Sequence, residues 1–181
     1  MLKNIVEVDE TFIGGKNKNR HWDKKASHSQ GRNWKDKIPV LGILERNSGK
    51  LICQVVPNTK QNTLTSIIKD NVEKSSNLYS DEWYRHSDLG KDFNHQIVNH
   101  SAKQYVNGEI TTNSIESAWA CLKRSIYGIY HQVSKEHLSK YVDEFVIRFN
   151  TRKYKVQKTF DLALLASVGK RLSYRELIST F

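Results

Sequence analysis

The sequence has 181 residues, with 29 Lys and Arg against 19 Asp and Glu, which gives a formal net charge of +10. This length fits one ordinary domain, and 38% hydrophobic residues are too many for a disordered chain. No stretch approaches the roughly 18 apolar residues of a membrane span, and no charged-then-apolar leader opens the sequence. The composition therefore argues against a membrane partner, and the cationic excess is compatible with binding to nucleic acid.

Two cysteines, Cys53 and Cys121, each stand alone in an apolar stretch. Two isolated thiols cannot build a disulfide framework or a four-ligand zinc site. This cysteine usage predicts a reducing, cytoplasmic setting.

The first part of the chain predicts strands around a basic loop. Residues 5–13 form a β-branched run that is typical of a strand. Residues 16–37 carry eight Lys or Arg against two Asp, which indicates an exposed basic loop. Residues 38–46 and 50–57 are apolar runs joined by Asn47-Ser48-Gly49, and this pattern predicts a hairpin.

The middle of the chain predicts a crossover helix followed by short strands. Asn58 or Thr59 is expected to cap the helix, whose apolar residues keep helical spacing. A short strand is predicted at residues 77–80 and a further one around residues 96–100.

Helices dominate the rest. One is predicted from Asn113 and a second from Ser134, whose apolar stripe is typical of a core-facing helix, and a last one covers about 160–168. Early antiparallel strands, a crossover helix and a later strand predict an α/β or α+β sheet covered by helices.

Three acids fall where they could share one site. Asp9 lies inside the first predicted strand, where alternation puts it on the same face as Glu7. Asp81 directly follows the strand at 77–80, and Glu116 lies in the first turn of the Asn113 helix. Three such carboxylates could hold two Mg²⁺ or Mn²⁺ ions, which prefer oxygen ligands.

Each acid also has a plainer interpretation. Asp9 could be a solvated residue on an open face of the sheet, and Asp81 could be a turn residue. Asn113 followed three residues later by Glu116 is typical of a capping box, and the local sequence alone favours this role for Glu116.

The acids occur within a series of motifs that resembles one transposase family. Residues 8–15, Val-Asp-Glu-Thr-Phe-Ile-Gly-Gly, precede the Lys-rich loop. Further stretches follow in order: Tyr79-Ser80-Asp81-Glu82-Trp83; Val98-Asn99-His100-Ser101 with Tyr105-Val106; Thr112-Asn113-Ser114-Ile115-Glu116 with Trp119 and Leu122-Lys123-Arg124; Tyr130-His131-Gln132-Val133-Ser134 with Tyr141, Phe145 and Arg148-Phe149-Asn150. Together they resemble the nuclease domain of bacterial insertion-sequence transposases of the insertion sequence 1595 family.

This resemblance implies a ribonuclease-H-like fold, a mixed sheet flanked by helices, with an Asp-Asp-Glu metal triad. By motif position the triad is Asp9, Asp81 and Glu116, and Asn113 is a rival third ligand because family members can use Asn there. Lys123 corresponds to the basic residue that follows the third ligand. Family members often carry a His where this chain has Thr111.

The function implied is metal-dependent cleavage of DNA strands and their transfer at insertion-sequence ends. The expected partners are double-stranded DNA, as transposon ends and target, and further copies of the chain, and the expected location is the cytoplasm at the nucleoid. Two Mg²⁺ or Mn²⁺ ions are the expected cofactors. The DNA backbone is expected to contact these cations, unless they are simply solvated: Lys16, Lys18, Arg20, Lys24, Lys25, Arg32, Lys35, Lys123 and Arg124.

Residues 1–181 are expected to form a single catalytic domain with the basic loop 16–37 and C-terminal helices over 113–168. Relatives carry an N-terminal DNA-binding region, which this sequence does not show before Asp9. Three alternatives remain open at this stage: a catalytically inactive DNA-binding remnant, another ribonuclease-H-like nuclease, and a basic RNA-binding protein, although the last would leave the three acids unexplained.

Overall fold

A five-stranded sheet in the order β3-β2-β1-β4-β5 forms the centre of the computed structural model, which describes residues 1–14, 22–24, 37–84, 87–98 and 111–178. The strands are β1 (Ile5–Ile13), β2 (Ile38–Glu45), β3 (Leu51–Val55), β4 (Asn77–Ser80) and β5 (Asn94–Ile97). β1 pairs antiparallel with β2 and parallel with β4, so the sheet is mixed, as predicted.

The hairpin between β2 and β3 turns at Gly49, whose φ is +70°. Glycine adopts this left-handed conformation without the steric cost that a side chain would add. The predicted hairpin is therefore confirmed, with both strands slightly shorter than expected.

Five helices accompany the sheet within the described residues: α1 (Gln61–Asn71), α2 (Asn113–Arg124), α3 (Leu138–Thr151), α4 (Val156–Ser167) and α5 (Tyr174–Ile178). A π-helical turn, Ser125–Ile129, continues α2. In the part of the chain that the structure describes, no helix is both long and apolar enough to cross a membrane.

The sheet separates two apolar cores because side chains alternate along each strand. On one face, Val6 and Val8 of β1 pack with Leu64 and Ile68 of α1. On the other face, α2 and α3 cover the sheet through these buried residues: Ile115, Ala118, Trp119, Leu122, Leu138, Val142 and Phe145. The core-facing stripe predicted for the second of these helices is therefore confirmed.

Several predicted boundaries were wrong. α3 begins at Leu138 rather than Ser134, because residues 135–137 form a turn and Leu138 is the first residue of the segment to be buried. α4 covers Val156–Ser167 instead of 160–168, and β5 covers Asn94–Ile97 instead of 96–100.

The predicted cap of the crossover helix was also wrong. The N-cap of α1 is Lys60. Asn58 lies before the helix, and its side-chain oxygen accepts hydrogen bonds from the backbone N–H of Lys60 and from the hydroxyl of Thr63. The basic loop 16–37 lies outside the described residues, apart from a short 3-10 turn, Trp22–Lys24, and Lys37.

Gly42 of β2 lets α2 approach the sheet closely. A Cβ atom built on Gly42 would lie 2.4 Å from Cη2 of Trp119 and 3.1 Å from Cδ1 of Ile115. The indole ring therefore occupies the space that any larger residue would fill.

We expect Gly42→Ala to lower the free energy of unfolding by about 1–3 kcal/mol, since an added methyl in a filled core forces its neighbours to shift. Urea denaturation measures this change. Gly128→Ala is the matched control, because no atom lies within 4 Å of a Cβ built there. A Gly42→Ala variant as stable as the control would contradict the proposed close packing.

Candidate active site

Asp9 lies within β1, and Asp81 directly follows the adjacent parallel strand β4. The pairing of β1 with β4 sets Ile5 against Asn77 and Glu7 against Tyr79, an offset of 72 residues. The same offset places Asp81, directly after β4, beside Asp9. In addition to burial and the charge of Glu10, the negative charge of Asp81 raises the pKa of Asp9, as expected for neighbouring carboxylates.

Asp9 is a half-buried acid held by an indole. The indole N–H of Trp119 donates a hydrogen bond to Oδ2 of Asp9 at 3.0 Å. Burial first, and then the charges of Glu10 and Asp81, raise the pKa of Asp9 to about 7. The hydrogen bonds from Trp119 and from the backbone N–H of Glu10 oppose this rise only in part.

A second buried acid, Glu10, lies on the opposite face of β1. The hydroxyl of Tyr84 donates a hydrogen bond to Oε2 of Glu10 at 3.1 Å. Burial and the nearby charge of Glu10 raise the pKa of Tyr84 well above its usual value. Tyr84 ends the short 3-10 turn that follows Asp81, so this contact ties the turn to β1.

The strand end before Asp81 is fixed by a polar contact with β5. The buried hydroxyl of Ser80 lies 2.7 Å from Nε2 of His95. Burial lowers the pKa of His95, which favours the neutral imidazole.

The start of α2 is anchored to β1 by the fully buried carboxylate of Glu7. Oε2 of Glu7 accepts the backbone N–H of Ile115 at 2.9 Å, and Oε1 accepts Nε of Arg46 at 2.9 Å. Nη2 of Arg46 also donates to the carbonyl and the hydroxyl of Thr111. A carboxylate at a helix amino terminus satisfies an unpaired N–H and complements the helix dipole.

This arrangement replaces the predicted capping box, which was wrong. The N-cap of α2 is Thr112 rather than Asn113, and the side chain of Glu116 accepts a hydrogen bond from Oγ1 of Thr112 at 3.1 Å. Glu7 from the sheet takes the backbone N–H that a capping side chain usually takes.

Asn113 and Glu116 are both exposed on the first turns of α2. Within residues 1–14, 22–24, 37–84, 87–98 and 111–178, no three His, Cys, Asp or Glu side chains form a ready-made metal cluster. The structure thus brings Asp9 and Asp81 together, while Glu116 as the third ligand stays a prediction.

Lys123 and Arg124 are exposed in the last turn of α2. Arg124 donates to Sγ of Cys121 at 3.3 Å. Of the remaining predicted DNA contacts, Lys24 ends the short 3-10 turn. The others lie outside the described residues: Lys16, Lys18, Arg20, Lys25, Arg32 and Lys35.

Several supporting residues were not predicted from the sequence, among them Glu7, Glu10, Tyr84 and Trp119 as a hydrogen-bond donor. For two of these residues, Glu7 and Trp119, the sequence did contain a signal. Alternation already placed Glu7 on the face of Asp9, and a buried Trp usually needs a partner for its N–H.

Replacement of Asp9 tests the cost of burying its charge. Because the folded pKa of about 7 exceeds the ordinary value, the folded protein binds more protons between about pH 4 and pH 7. The free energy of unfolding of the wild type should therefore fall as the pH rises through this window. The free energy of unfolding of Asp9→Asn should exceed that of the wild type by roughly 1–4 kcal/mol at about pH 8. At about pH 4 the two free energies should be nearly equal.

Urea denaturation in metal-free buffer at both pH values measures this difference. Asp88→Asn is the control, since the exposed Asp88 has its pKa lowered by its hydrogen bond with Lys91. Equal pH dependence in the wild type and Asp9→Asn would show that Asp9 carries no such cost.

Known proteins are similar to this chain in sequence or in fold. Residues 1–150 match the ISXO2-like transposase domain family. An uncharacterized protein in transposable element ISH50 of Halobacterium salinarum is 26% identical over 155 residues, which are 81% of this chain and 52% of that protein. An uncharacterized transposase-like protein of Haemophilus influenzae is 31% identical over 109 residues, which are 60% of this chain and 87% of that protein. The chain thus spans about half the length of the Halobacterium protein.

The catalytic core domain of BIV integrase has a similar structure, with a TM-score of 0.53 and 13% sequence identity. The match covers 91% of this chain and 96% of that domain, and it confirms the predicted ribonuclease-H-like fold. Because the family match extends from residue 1 to residue 150, the chain belongs to the family of ISXO2-like transposase domains.

Proposed function

We propose that this chain catalyses metal-dependent cleavage of DNA strands and their transfer at the ends of an insertion sequence. The observation that carries the proposal is the proximity of Asp9, within β1, to Asp81, directly after the adjacent parallel strand β4. Membership in a transposase family and the integrase-like fold support the same conclusion.

The donor set of the site fits a hard divalent cation. Asp9 and Asp81 offer carboxylate oxygens, the ligands that Mg²⁺ and Mn²⁺ prefer. Burial first, and then the charges of Glu10 and Asp81, raise the pKa of Asp9, and a bound cation would offset this cost of ionisation. Asp9, Asp81 and Glu116 would hold two ions, with Asn113 as the rival to Glu116.

Bound metal ions would supply activation of the attacking hydroxyl and stabilisation of the leaving oxygen. In the first step, a water oxygen attacks the phosphorus and the bond to the 3′ oxygen breaks, which leaves a 3′ hydroxyl and a 5′ phosphate. In the second step, that 3′ hydroxyl attacks a phosphodiester of the target and displaces its 3′ oxygen. The role of the chain is to position the reacting groups and to neutralise charge.

Cations near the site would bind the DNA backbone. Lys123 lies seven residues after Glu116, so both project from nearly the same side of α2. We assign Lys123, with Arg124, to a phosphate near the scissile bond. The basic loop 16–37 would contact further phosphates, and Trp22 and Trp34 could stack on bases.

The aspartate pair gives the first test. Asp9→Asn and Asp81→Asn should each reduce Mg²⁺-dependent strand cleavage by at least about 100-fold, because each removes a charged metal ligand. The substrate is a duplex that carries the ends of the element encoding the chain, and cleaved strands are resolved on a denaturing gel.

Asp88→Asn serves as the control, since it removes an exposed carboxylate that pairs with Lys91 instead. Cleavage that survives either substitution at Asp9 or Asp81 would rule out the proposed site. Cleavage without joining to a target duplex would instead indicate a nuclease that does not transfer strands.

A second comparison identifies the third ligand. Glu116→Gln should abolish cleavage while Asn113→Ala retains it, because the carboxylate contributes charge as well as oxygen. Both side chains are exposed, so neither change should unfold the protein, and circular dichroism checks this. The opposite result, loss with Asn113→Ala and activity with Glu116→Gln, would assign the role to Asn113.

A further inference from the structure

The indole of Trp119 lies over a pair of residues on the two neighbouring strands β1 and β2. Asp9 of β1 stands directly opposite Gly42 of β2, and directly opposed residues of an antiparallel pair project to the same face of the sheet. A Cβ atom built on Gly42 would lie 2.4 Å from Cη2 and 2.5 Å from Cζ2 of the indole. The N–H of the same ring donates to Oδ2 of Asp9 at 3.0 Å. The ring therefore reaches the carboxylate through the space that Gly42 leaves open.

Burial keeps the indole in this position. Trp119 is only 4% exposed and belongs to the core that α2 and α3 form on this face of the sheet. A buried indole N–H needs an acceptor, and the acceptor here is Asp9. Packing against Gly42 and hydrogen bonding to Asp9 thus specify the same placement of the ring.

Two donors from different elements hold the carboxylate of Asp9. One is the indole N–H from α2, and the other is the backbone N–H of Glu10 in β1. An ionised carboxylate has about four acceptor positions, so two accepted hydrogen bonds restrict its rotation and still leave positions for a cation. Carboxylates that bind metal ions are typically oriented by such donors.

The helix that supplies the indole also carries the proposed third ligand. Trp119 follows Glu116 by three residues, and residues three apart are neighbours on a helix. The seating of α2 on β1 therefore decides both where the indole meets Asp9 and where Glu116 stands.

We propose that Trp119 is a positioning residue of the metal site. Its indole N–H sets the orientation in which Asp9 binds a divalent cation, and it does so only when α2 is seated on the sheet. This inference rests on the proposed function, because it requires that Asp9 bind metal.

Mn²⁺ binding in the absence of DNA tests the proposal without reference to cleavage. Electron paramagnetic resonance of free Mn²⁺ yields the dissociation constant. Trp119→Phe should weaken binding about 10–100-fold, the usual effect of removing a group that orients a metal ligand. Asp81→Asn should weaken binding as well, which assigns the measured ions to the proposed site.

A matched double variant separates the hydrogen bond from packing, because Trp119→Phe also leaves a gap above Gly42. The atoms that a Cβ on Gly42 would meet belong to the far end of the indole, which the shorter Phe side chain does not reach. Gly42→Ala/Trp119→Phe should therefore refill part of the gap and unfold at a higher urea concentration than Trp119→Phe. Its Mn²⁺ affinity should stay low, because no donor to Asp9 returns.

Nuclear magnetic resonance of the wild type supplies a readout that needs no variant. The ring protons of Trp119 can be assigned through their contacts with Gly42. Titration with Mg²⁺ should shift the indole N–H resonance, because the cation draws electron density from the carboxylate that accepts this N–H. The indole of Trp22, which is 87% exposed, is the internal reference.

Two results would overturn the proposal while the proposed function stands. One is recovery of Mn²⁺ affinity together with stability in the double variant, or undiminished affinity in Trp119→Phe. The other is a Trp119 resonance that does not move when Mg²⁺ saturates the site, and this result decides the matter if circular dichroism shows that Trp119→Phe is unfolded. A wild type that binds no Mn²⁺, or whose binding survives Asp81→Asn unchanged, would overturn the metal site and this inference together.

Discussion

The buried carboxylate of Glu7 is the constraint on which the candidate site depends. A fully buried charge is costly unless it is paired, and here one oxygen binds Arg46 while the other binds the backbone of Ile115. The pairing can be satisfied only when α2 begins directly above β1. The carboxylate therefore fixes where the helix starts, and with it the positions of Asn113, Glu116 and the ring of Trp119 relative to the sheet.

β1 carries acidic side chains on both faces, and Asp9 and Glu10 have different hydrogen-bond partners. Asp9 meets an indole N–H and a second aspartate, whereas Glu10 meets a phenol in the opposite core. Burial first, and then neighbouring acids, raise the pKa of Asp9 and of Tyr84, so a negative charge is costly on both faces. At the face of Asp9, where Asp81 is adjacent, a bound cation would offset this cost.

Much of this fold could be predicted from local pattern. Residues 5–13, the hairpin and the stripe of α2 each carry a period or turn signal, and Asp81 follows a short strand that was recognised. The offset that joins Asp9 to Asp81 could not be predicted from residues alone, since parallel pairing is set by tertiary packing. Alternation placed Glu7 on the face of Asp9, but its contact with a helix start 108 positions later, in place of a local cap, depends on tertiary packing. The beginning of α3 was missed because Ser134 resembles a cap, while burial starts only at Leu138.

The separation along the chain of the residues that meet at β1 has a consequence for synthesis. Glu7 contacts a residue 108 positions later and Asp9 contacts one 110 positions later. At roughly 5–20 residues per second, a growing polypeptide exposes β1 for several seconds before α2 leaves the ribosome. Contacts between such distant segments also form slowly, since a long loop must close first. Translation must therefore proceed beyond Trp119 before the aspartates gain their support, and a product that ends between Asp81 and α2 would carry both acids without the helix that holds Asp9.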